Sequence, residues 1–467
     1  MATFRHRFEF PHPVEDVFAW HTRPGAFERL TPPWEDVRVR EREGGLRPGG
    51  RVVLALKKGP AELRWEVAHT AFEENRLFVD EQVEGPFASW RHEHRFEPLG
   101  PDRCALEDVV EYEPPLGSLG RTFSGGYIER SLARLFAFRA RRLANDLDLH
   151  ARYPAPAKPL RVAVTGSTGL VGGALVHFLR SGGHTVLRMR RGKAPVGDDS
   201  LQWDPARGTI DSQGLEGLDA VVHLAGEPIA AVRWTSSKKE AILRSREEGT
   251  ALLAGALAEL ERPPGVFISA SGVDYYGDRP PNEFVTEGTD SGETFLAEVC
   301  RRWERATGAA RAIGIRTVHL RTGIVLSPAG GMLGTVLLPF QVGVGGRIGS
   351  GRQYMSWIDL DDHVGLIHHI IRTPAVRGAV NSTAPNPVSN ASFTGVLGRV
   401  LSRPTVLPLP SPAVIALMGE MGRELLLTGQ RVLPERALAS GYRYLFPDLE
   451  DSLRHQLGRA GTVGADG

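Results

Sequence analysis

Leu160-Arg-Val-Ala-Val-Thr165 runs directly into Gly166-Ser-Thr-Gly169-Leu-Val-Gly172-Gly-Ala-Leu-Val-His-Phe-Leu179, and this stretch decides the fold. Its first six residues form a short run rich in β-branched side chains, as a strand buried in a parallel sheet would be. From Leu170 onward the apolar residues recur with helical spacing. Gly166, Ser167, Thr168, Gly169, Leu170, Val171 and Gly172 join the two. The glycines answer distinct demands: a tight turn, a backbone that a pyrophosphate can approach, and close contact of helix with strand. Free N–H groups at the helix start then face the phosphates. A second strand follows at His184-Thr-Val-Leu-Arg-Met-Arg190. Strand, glycine turn, helix and strand thus occur in the order of a dinucleotide-binding unit.

The end of that second strand selects the nucleotide. A carboxylate there would accept hydrogen bonds from the adenosine ribose of NAD, whereas arginine pairs with the 2′-phosphate of NADP. Arg188, Arg190 and Arg191 occupy the position, and no carboxylate appears until Asp198. NADP(H) is therefore the expected cofactor. Leu218-Asp-Ala-Val-Val-His-Leu224-Ala225-Gly226-Glu227-Pro-Ile229 reads as a strand ending at a small-residue turn, where the chain passes adenine and ribose. Arg246, Ser269 and Arg321 complete the expected cofactor-facing set.

The chain has 467 residues, enough for two or three domains, with 41% hydrophobic and 24% charged residues. This composition is that of a folded globular protein. Fifty-six basic residues against 55 acidic ones give a net charge of +1, so no global field draws the chain to nucleic acid or anionic membrane. Cys104 and Cys300 are too few for a disulfide framework. The N-terminus lacks the apolar core of a signal peptide, and no apolar run is long enough for a membrane span. A cytoplasmic location follows as the expectation.

Ala151-Arg-Tyr-Pro-Ala-Pro-Ala-Lys-Pro159 reads as an extended spacer between residues 1–150 and 160–455, with 456–467 as a flexible tail. Upstream, Phe4–Phe10 alternates aromatic and polar residues, and strand-like runs follow at 51–56, 63–72, 76–83, 90–96 and 105–112. A short helix is expected over Pro13–Trp20, and a long one closes the half through Ile128, Leu132, Leu135, Phe136, Leu143 and Leu147. Trp90, His92, His94 and Phe96 share one parity and face one side of their strand. A His-x-His pair can ligate metal, but no third ligand is evident in sequence, so His92 and His94 are read as cavity-lining residues and no metal is assigned.

The element order of residues 1–150 resembles the helix-grip fold of the START and polyketide-cyclase-like superfamily. That resemblance implies a cavity between sheet and helix for an apolar or amphipathic ligand. The glycine spacing of residues 166–172 resembles the extended short-chain dehydrogenase/reductases, a Rossmann-like doubly wound α/β fold with a C-terminal substrate subdomain. Further motifs narrow the likeness: Leu224-Ala-Gly-Glu-Pro-Ile229, Tyr275-Tyr-Gly-Asp278, Leu320-Arg-Thr-Gly-Ile-Val-Leu326, Gly349-Ser-Gly-Arg-Gln-Tyr354 and Gly429-Gln-Arg-Val-Leu-Pro-Glu-Arg436. Together they resemble the epimerase-family group of atypical short-chain dehydrogenases, with a family segment over about 405–455.

Members of the wider superfamily use a Tyr-x-x-x-Lys pair with a serine. In the matching segment, Phe295 stands for the tyrosine and Val299 for the lysine. All six lysines lie at or before Lys239, so no shift of alignment supplies one. By the resemblance, Ser271 would hydrogen-bond a substrate carbonyl, and Tyr275 or Tyr276 would offer a phenol, with Ser269, Asp274 and Arg321 nearby. Glu298 reads as a solvated face residue and Cys300 as a small buried one. Asp361 and Asp362 read as helix caps, Arg233 and Trp234 as residues closing over a substrate, and 342–354 as a flexible lid or binding loop. The leading reading is an NADP(H)-dependent oxidoreductase acting on a small or amphipathic carbonyl or enone. A non-catalytic nucleotide sensor or scaffold and a sugar-nucleotide-type epimerase are the alternatives. An open space beside the nicotinamide position favours an enzyme, and one plugged by Phe295 favours a sensor.

Overall fold

A computed structural model describes the chain except for residues 116, 155–157, 193–198, 231–232 and 460–467, and without the side chains of 58 and 117–125. Asp198, the centre of the expected spacer and most of the expected tail lie outside the described residues. Two compact units divide the chain mainly after Pro154, with Arg180–Gly183 and the described residues from His455 onward grouping with the first.

The first unit opens with β1 (Ala2–Phe10), whose inward aromatic residues alternate with charged ones, then α1 (Val14–Thr22) and α2 (Ala26–Leu30). Six further strands follow: β2 (Asp36–Glu43), β3 (Arg51–Lys58), β4 (Ala61–Glu73), β5 (Leu77–Glu84), β6 (Ser89–Gly100) and β7 (Arg103–Glu113). The long helix α3 (Gly117–Ala151) ends the run. The seven-stranded sheet has the order β1-β7-β6-β5-β4-β3-β2, antiparallel throughout. Phe18, Phe78, Phe96 and Leu106 pack with Leu143 and Leu147 in one core between sheet and helix. Arg29 on α2 forks onto the fully buried Asp146 of α3, with Nε 2.7 Å from Oδ2.

The second unit is a doubly wound sheet. Its strands are β8 (Arg161–Thr165), β9 (Thr185–Arg190), β10 (Ser200–Asp204), β11 (Thr209–Ile210), β12 (Ala220–His223), β13 (Val266–Gly272), β14 (Arg316–Thr322) and β15 (Gly378–Ser382). The eight-stranded order is β11-β10-β9-β8-β12-β13-β14-β15, parallel except for the β10–β11 edge. The order reverses between β8 and β12, and in such sheets ligands bind outside the carboxyl ends of the strands at that point. Helices α4 (Leu170–Ser181), α5 (Ser236–Ala258) and α6 (Phe295–Arg305) carry the residues that matter below.

Several details depart from the sequence expectation. A helix at Leu449–Gln456 continues past 455, and Gln456 and Leu457 are buried, so the tail begins later than expected. Asp359, not Asp361 or Asp362, caps the helix Leu360–Arg372 by accepting from the Asp361 N–H at 2.8 Å. Asp362 instead accepts from the N–H groups of Leu445 and Phe446 at 2.7 and 2.9 Å. The glycine-dense segment 342–354 is pinned by bridges from Gly346 to Val406 and Ile348 to Leu409, which is at odds with a free lid.

Candidate functional site

The turn after β8 has the geometry its glycines imply. Gly166 adopts φ +66°, and a Cβ there would meet the Leu224 carbonyl carbon at 3.0 Å. Gly172 seats α4 on the turn, where a Cβ would come within 2.2 Å of the Gly166 oxygen. Thr168 and Gly169 form the exposed tip, Leu170 opens α4, and Val171 faces the adjoining cleft. Thr165 Oγ1 accepts the N–H groups of Leu224 and Ala225 at 3.0 and 3.1 Å, which fixes the second turn beside the first. Ser167 is buried, and among the described residues its Oγ lacks a hydrogen-bond partner. An orphaned buried hydroxyl within a glycine cradle at a helix N-terminus fits the phosphate end of a dinucleotide. Arg190 ends β9, and Arg191 follows it exposed. Behind the second turn, Gly226 abuts the Arg246 guanidinium, which donates to the carbonyls of Glu227 and Ile242 at 3.0 and 3.1 Å. The Glu227 side chain accepts from Lys238 Nζ at 2.7 Å.

A cleft of about 300 Å³ opens beside this turn, lined by Val171, Leu224, Arg246, Ser271, Asp274 and the α6 face Leu296, Val299, Cys300 and Trp303. A second space of about 180 Å³, which also touches Asp274, Thr322 and Gly323, continues among Met332, Phe340, Gln353 and Tyr354. Asp274 is thus common to both walls. Burial in that wall, and then the charge of Glu424, push its carboxyl up to about 6. Glu424 is held near by accepting the N–H groups of Phe295 and Leu296 at the start of α6, both at 3.1 Å.

The helix that would carry the proton relay is apolar toward the cleft. Val299 lines it, while Phe295 turns out against Trp234, with ring centroids 5.1 Å apart, and under Lys239 Nζ at 4.3 Å. Cys300 is buried, and desolvation, followed by the charges of Asp274 and Glu304, pushes its thiol up to about 12, which excludes a thiolate nucleophile near neutral pH.

Other candidates sit elsewhere than the sequence reading placed them. Ser271 lines the cleft, but its hydroxyl donates to Glu304 Oε1 at 2.9 Å, the strongest acceptor within reach. Arg321 is turned onto the same carboxylate at 2.8 and 3.0 Å and stacks 3.4 Å over the Tyr275 ring, so it neither lines the cleft nor faces the glycine turn. Tyr276 is fully buried, with its hydroxyl donating to Asn381 at 2.7 Å and accepting from Arg321 at 3.0 Å. The phenol is spent on the core and does not reach either space. Ser269 is fully buried in β13. Arg233 donates to the Leu417 carbonyl at 3.0 Å, and the Trp234 indole donates to Ile229 O at 2.9 Å, so neither closes over the cleft.

The first unit holds its own cavity, about 470 Å³, between sheet and helix. Trp65, Trp90, Val67, Leu54 and Leu135 give it an apolar wall, and His21, His69, Asp80, His92, His94 and Arg139 give it a polar one. His92 Nε2 bonds Asp108 Oδ1 at 3.0 Å. Burial opposes a charge on this ring, but Asp108 and Asp80 outweigh it and raise the imidazole to about 9. His21 donates Nδ1–H to Val17 O at 2.7 Å and is lowered to about 4, chiefly by burial.

A doubly wound sheet with a glycine cradle at its switch point defines a nucleotide-binding protein of the Rossmann class. Comparison with known proteins gives the particular family. Residues 162–381 match the NAD dependent epimerase/dehydratase family, 409–456 a domain of unknown function (DUF1731), and 10–136 the polyketide cyclase/dehydrase and lipid transport family. The chain is 44% identical to the epimerase family protein Mb2239 of Mycobacterium bovis over 300 residues, 64% of this chain and 98% of that protein. It is 38% identical to the human epimerase family protein SDR39U1 over 299 residues, 63% of this chain and 99% of that one. A crystal structure described as the nucleoside-diphosphate sugar epimerase from Corynebacterium glutamicum aligns with TM-score 0.80 and 33% identity, covering 98% of this chain and 90% of that chain. The human SDR39U1 structure (isoform 2), solved with NADPH, aligns with TM-score 0.58 and 36% identity over 63% of this chain and 98% of that chain. The chain belongs to the SDR39U1-like epimerase family, NAD(P)-dependent in type, with an N-terminal polyketide cyclase-like domain.

Proposed function

We propose that the chain is an NADP(H)-dependent oxidoreductase that reduces a small or amphipathic carbonyl or enone, and that its N-terminal cavity binds an apolar or amphipathic ligand. The observation that carries this reading is the open space of about 300 Å³ beside the glycine turn, from which Phe295 is turned away. Phe295, the side chain that would plug the site of a protein that only senses a nucleotide, packs on Trp234 instead.

The turn Gly166–Gly172, with Ser167 Oγ, would hold the pyrophosphate, and Arg190 with Arg191 the 2′-phosphate of NADP. NADPH also bound to the human relative. When bound, NADPH supplies a hydride to the electrophilic carbon. This chain supplies orientation and a proton. Val171, Leu296, Val299 and Trp303 exclude water from the reacting carbon. Asp274, protonated up to about pH 6, donates to the substrate oxygen or the enone α-carbon and leaves as carboxylate. Ser271 and Arg321 are positioning residues here, tied through Glu304. Sugar-nucleotide epimerisation ranks below this reading, because Phe295 and Val299 cannot relay the proton that transient oxidation of a hydroxyl releases.

The test is anaerobic mixing of the protein with NADPH and a panel of carbonyls, quinones and enones, following NADPH absorbance. Substrate-dependent loss of absorbance, strongly reduced in Asp274→Asn, supports the oxidoreductase. Saturable binding without turnover over the whole panel moves the assignment to a nucleotide sensor.

A further inference from the structure

The cavity of the first unit contains a cluster that the nucleotide reading does not use. Asp80 on β5 and His92 on β6 are paired across the sheet, and His94, two residues along, shares their face. The His92 and His94 rings are tilted by 44° with centroids 3.8 Å apart, and each ring has one nitrogen toward Asp80 and the other toward Asp108 of β7.

The two aspartates stand at different distances. Asp108 Oδ1 is hydrogen-bonded to His92 Nε2 at 3.0 Å and lies 2.9 Å from His94 Nδ1 without hydrogen-bond geometry. Asp80 Oδ2 is 3.3 Å from His92 Nδ1 and 3.5 Å from His94 Nε2, too long for good hydrogen bonds. Those longer separations match the edge of a tetrahedron whose metal–nitrogen bonds are about 2.0–2.1 Å, an edge of about 3.3 Å. The ligand atoms of Asp80, His92 and His94 all lie within 4.8 Å of one another.

We propose that Asp80, His92 and His94 bind one divalent transition-metal ion of the zinc class, with a coordination position left open to the cavity. Asp108 then stands behind both imidazoles and, through its hydrogen bond to His92 Nε2, fixes which nitrogen His92 presents, the usual outer partner of metal-bound histidine. Two histidines and a carboxylate with a free position are the donor set of an open rather than a closed zinc site. The cluster lies against the 470 Å³ cavity with Trp65 and Trp90 on its apolar wall, so an amphipathic ligand would reach the ion through an oxygen. Closing the cluster by ion pairing alone would bury all four groups at considerable desolvation cost, with Asp80 poorly bonded. The proposal does not depend on the nucleotide site.

The full chain, stripped with chelator and dialysed, is titrated with Co²⁺ while visible ligand-field bands are recorded, and then with Zn²⁺ by calorimetry. One ion per chain with intense low-coordination cobalt bands is expected. Asp80→Asn and His94→Gln should each abolish the bands while circular dichroism and the melting temperature show a folded chain. Asp108→Asn should keep them but weaken affinity about 10–100-fold. Absence of saturable binding overturns the proposal, as do a cobalt stoichiometry and bands that both ligand substitutions leave unchanged. If a substituted chain fails to fold, the share of Co²⁺ quenching that Trp65→Phe and Trp90→Phe remove from the tryptophan fluorescence decides: no share removed overturns it.

Discussion

On the proposed reading, Asp274 takes over chemistry that a missing pair leaves vacant. Its carboxyl is raised to about 6 by burial and by Glu424, so it is an acid at slightly acidic pH and a carboxylate above it. A reduction that needs its proton therefore slows as pH rises through about 6. Initial-rate pH profiles should show that falling limb in the native chain, and Asp274→Asn should remove the limb and lower the rate roughly 10²–10⁴-fold. A profile unchanged by the substitution removes Asp274 from the mechanism. The sequence placed Asp274 in the right segment but did not single it out, since its raised pKa comes first from burial and then from Glu424, 150 residues away, and neither shows in the local sequence. Tyr276 illustrates the reverse. Its position after β13 matches a catalytic phenol, and only the Asn381 and Arg321 contacts show that the hydroxyl belongs to the core.

Elements were legible in proportion to their apolar pattern. The β8–turn–α4 unit was readable because glycine spacing and burial period agree, and Gly172 states its own test. Gly172→Val places side-chain atoms against the Gly166 oxygen, since even a Cβ would lie 2.2 Å from it. Overpacking of this kind costs roughly 1–3 kcal/mol. Chemical denaturation should show that loss, and NADPH affinity should fall with it. Strand β2 was not read from sequence because Asp-Val-Arg-Val-Arg-Glu-Arg-Glu offers only Val37 and Val39 to the core, as an edge strand can. The α2–α3 tie was invisible for a different reason: Arg29 and Asp146 are far apart in sequence and meet only in the folded unit. Asp146→Ala removes the buried carboxylate onto which Arg29 forks and should cost about 3–5 kcal/mol in urea unfolding of the chain. A change below 1 kcal/mol would show the pair to be dispensable.

At the scale of the molecule, each unit contains a ligand-sized space with its own polar group. Local sequence announced the domains, through the glycine turn and the alternating strands. It could not announce the sites in full, because both are assembled across elements. Asp80 joins His92 and His94 only through β-sheet register, and Asp274 joins the cleft only when α6 and the Glu424 segment close around it. Among the described residues no helix is long and apolar enough to cross a membrane.

The account rests most heavily on the nucleotide site of the second unit. Equilibrium titration of the purified chain with NADPH and NADH, read by nucleotide fluorescence, tests it directly. Saturable binding of NADPH at one per chain is predicted, tighter than NADH, with the preference lost in Arg190→Ala/Arg191→Ala. Failure to bind either nucleotide, or equal affinity for both in the native chain, would contradict it.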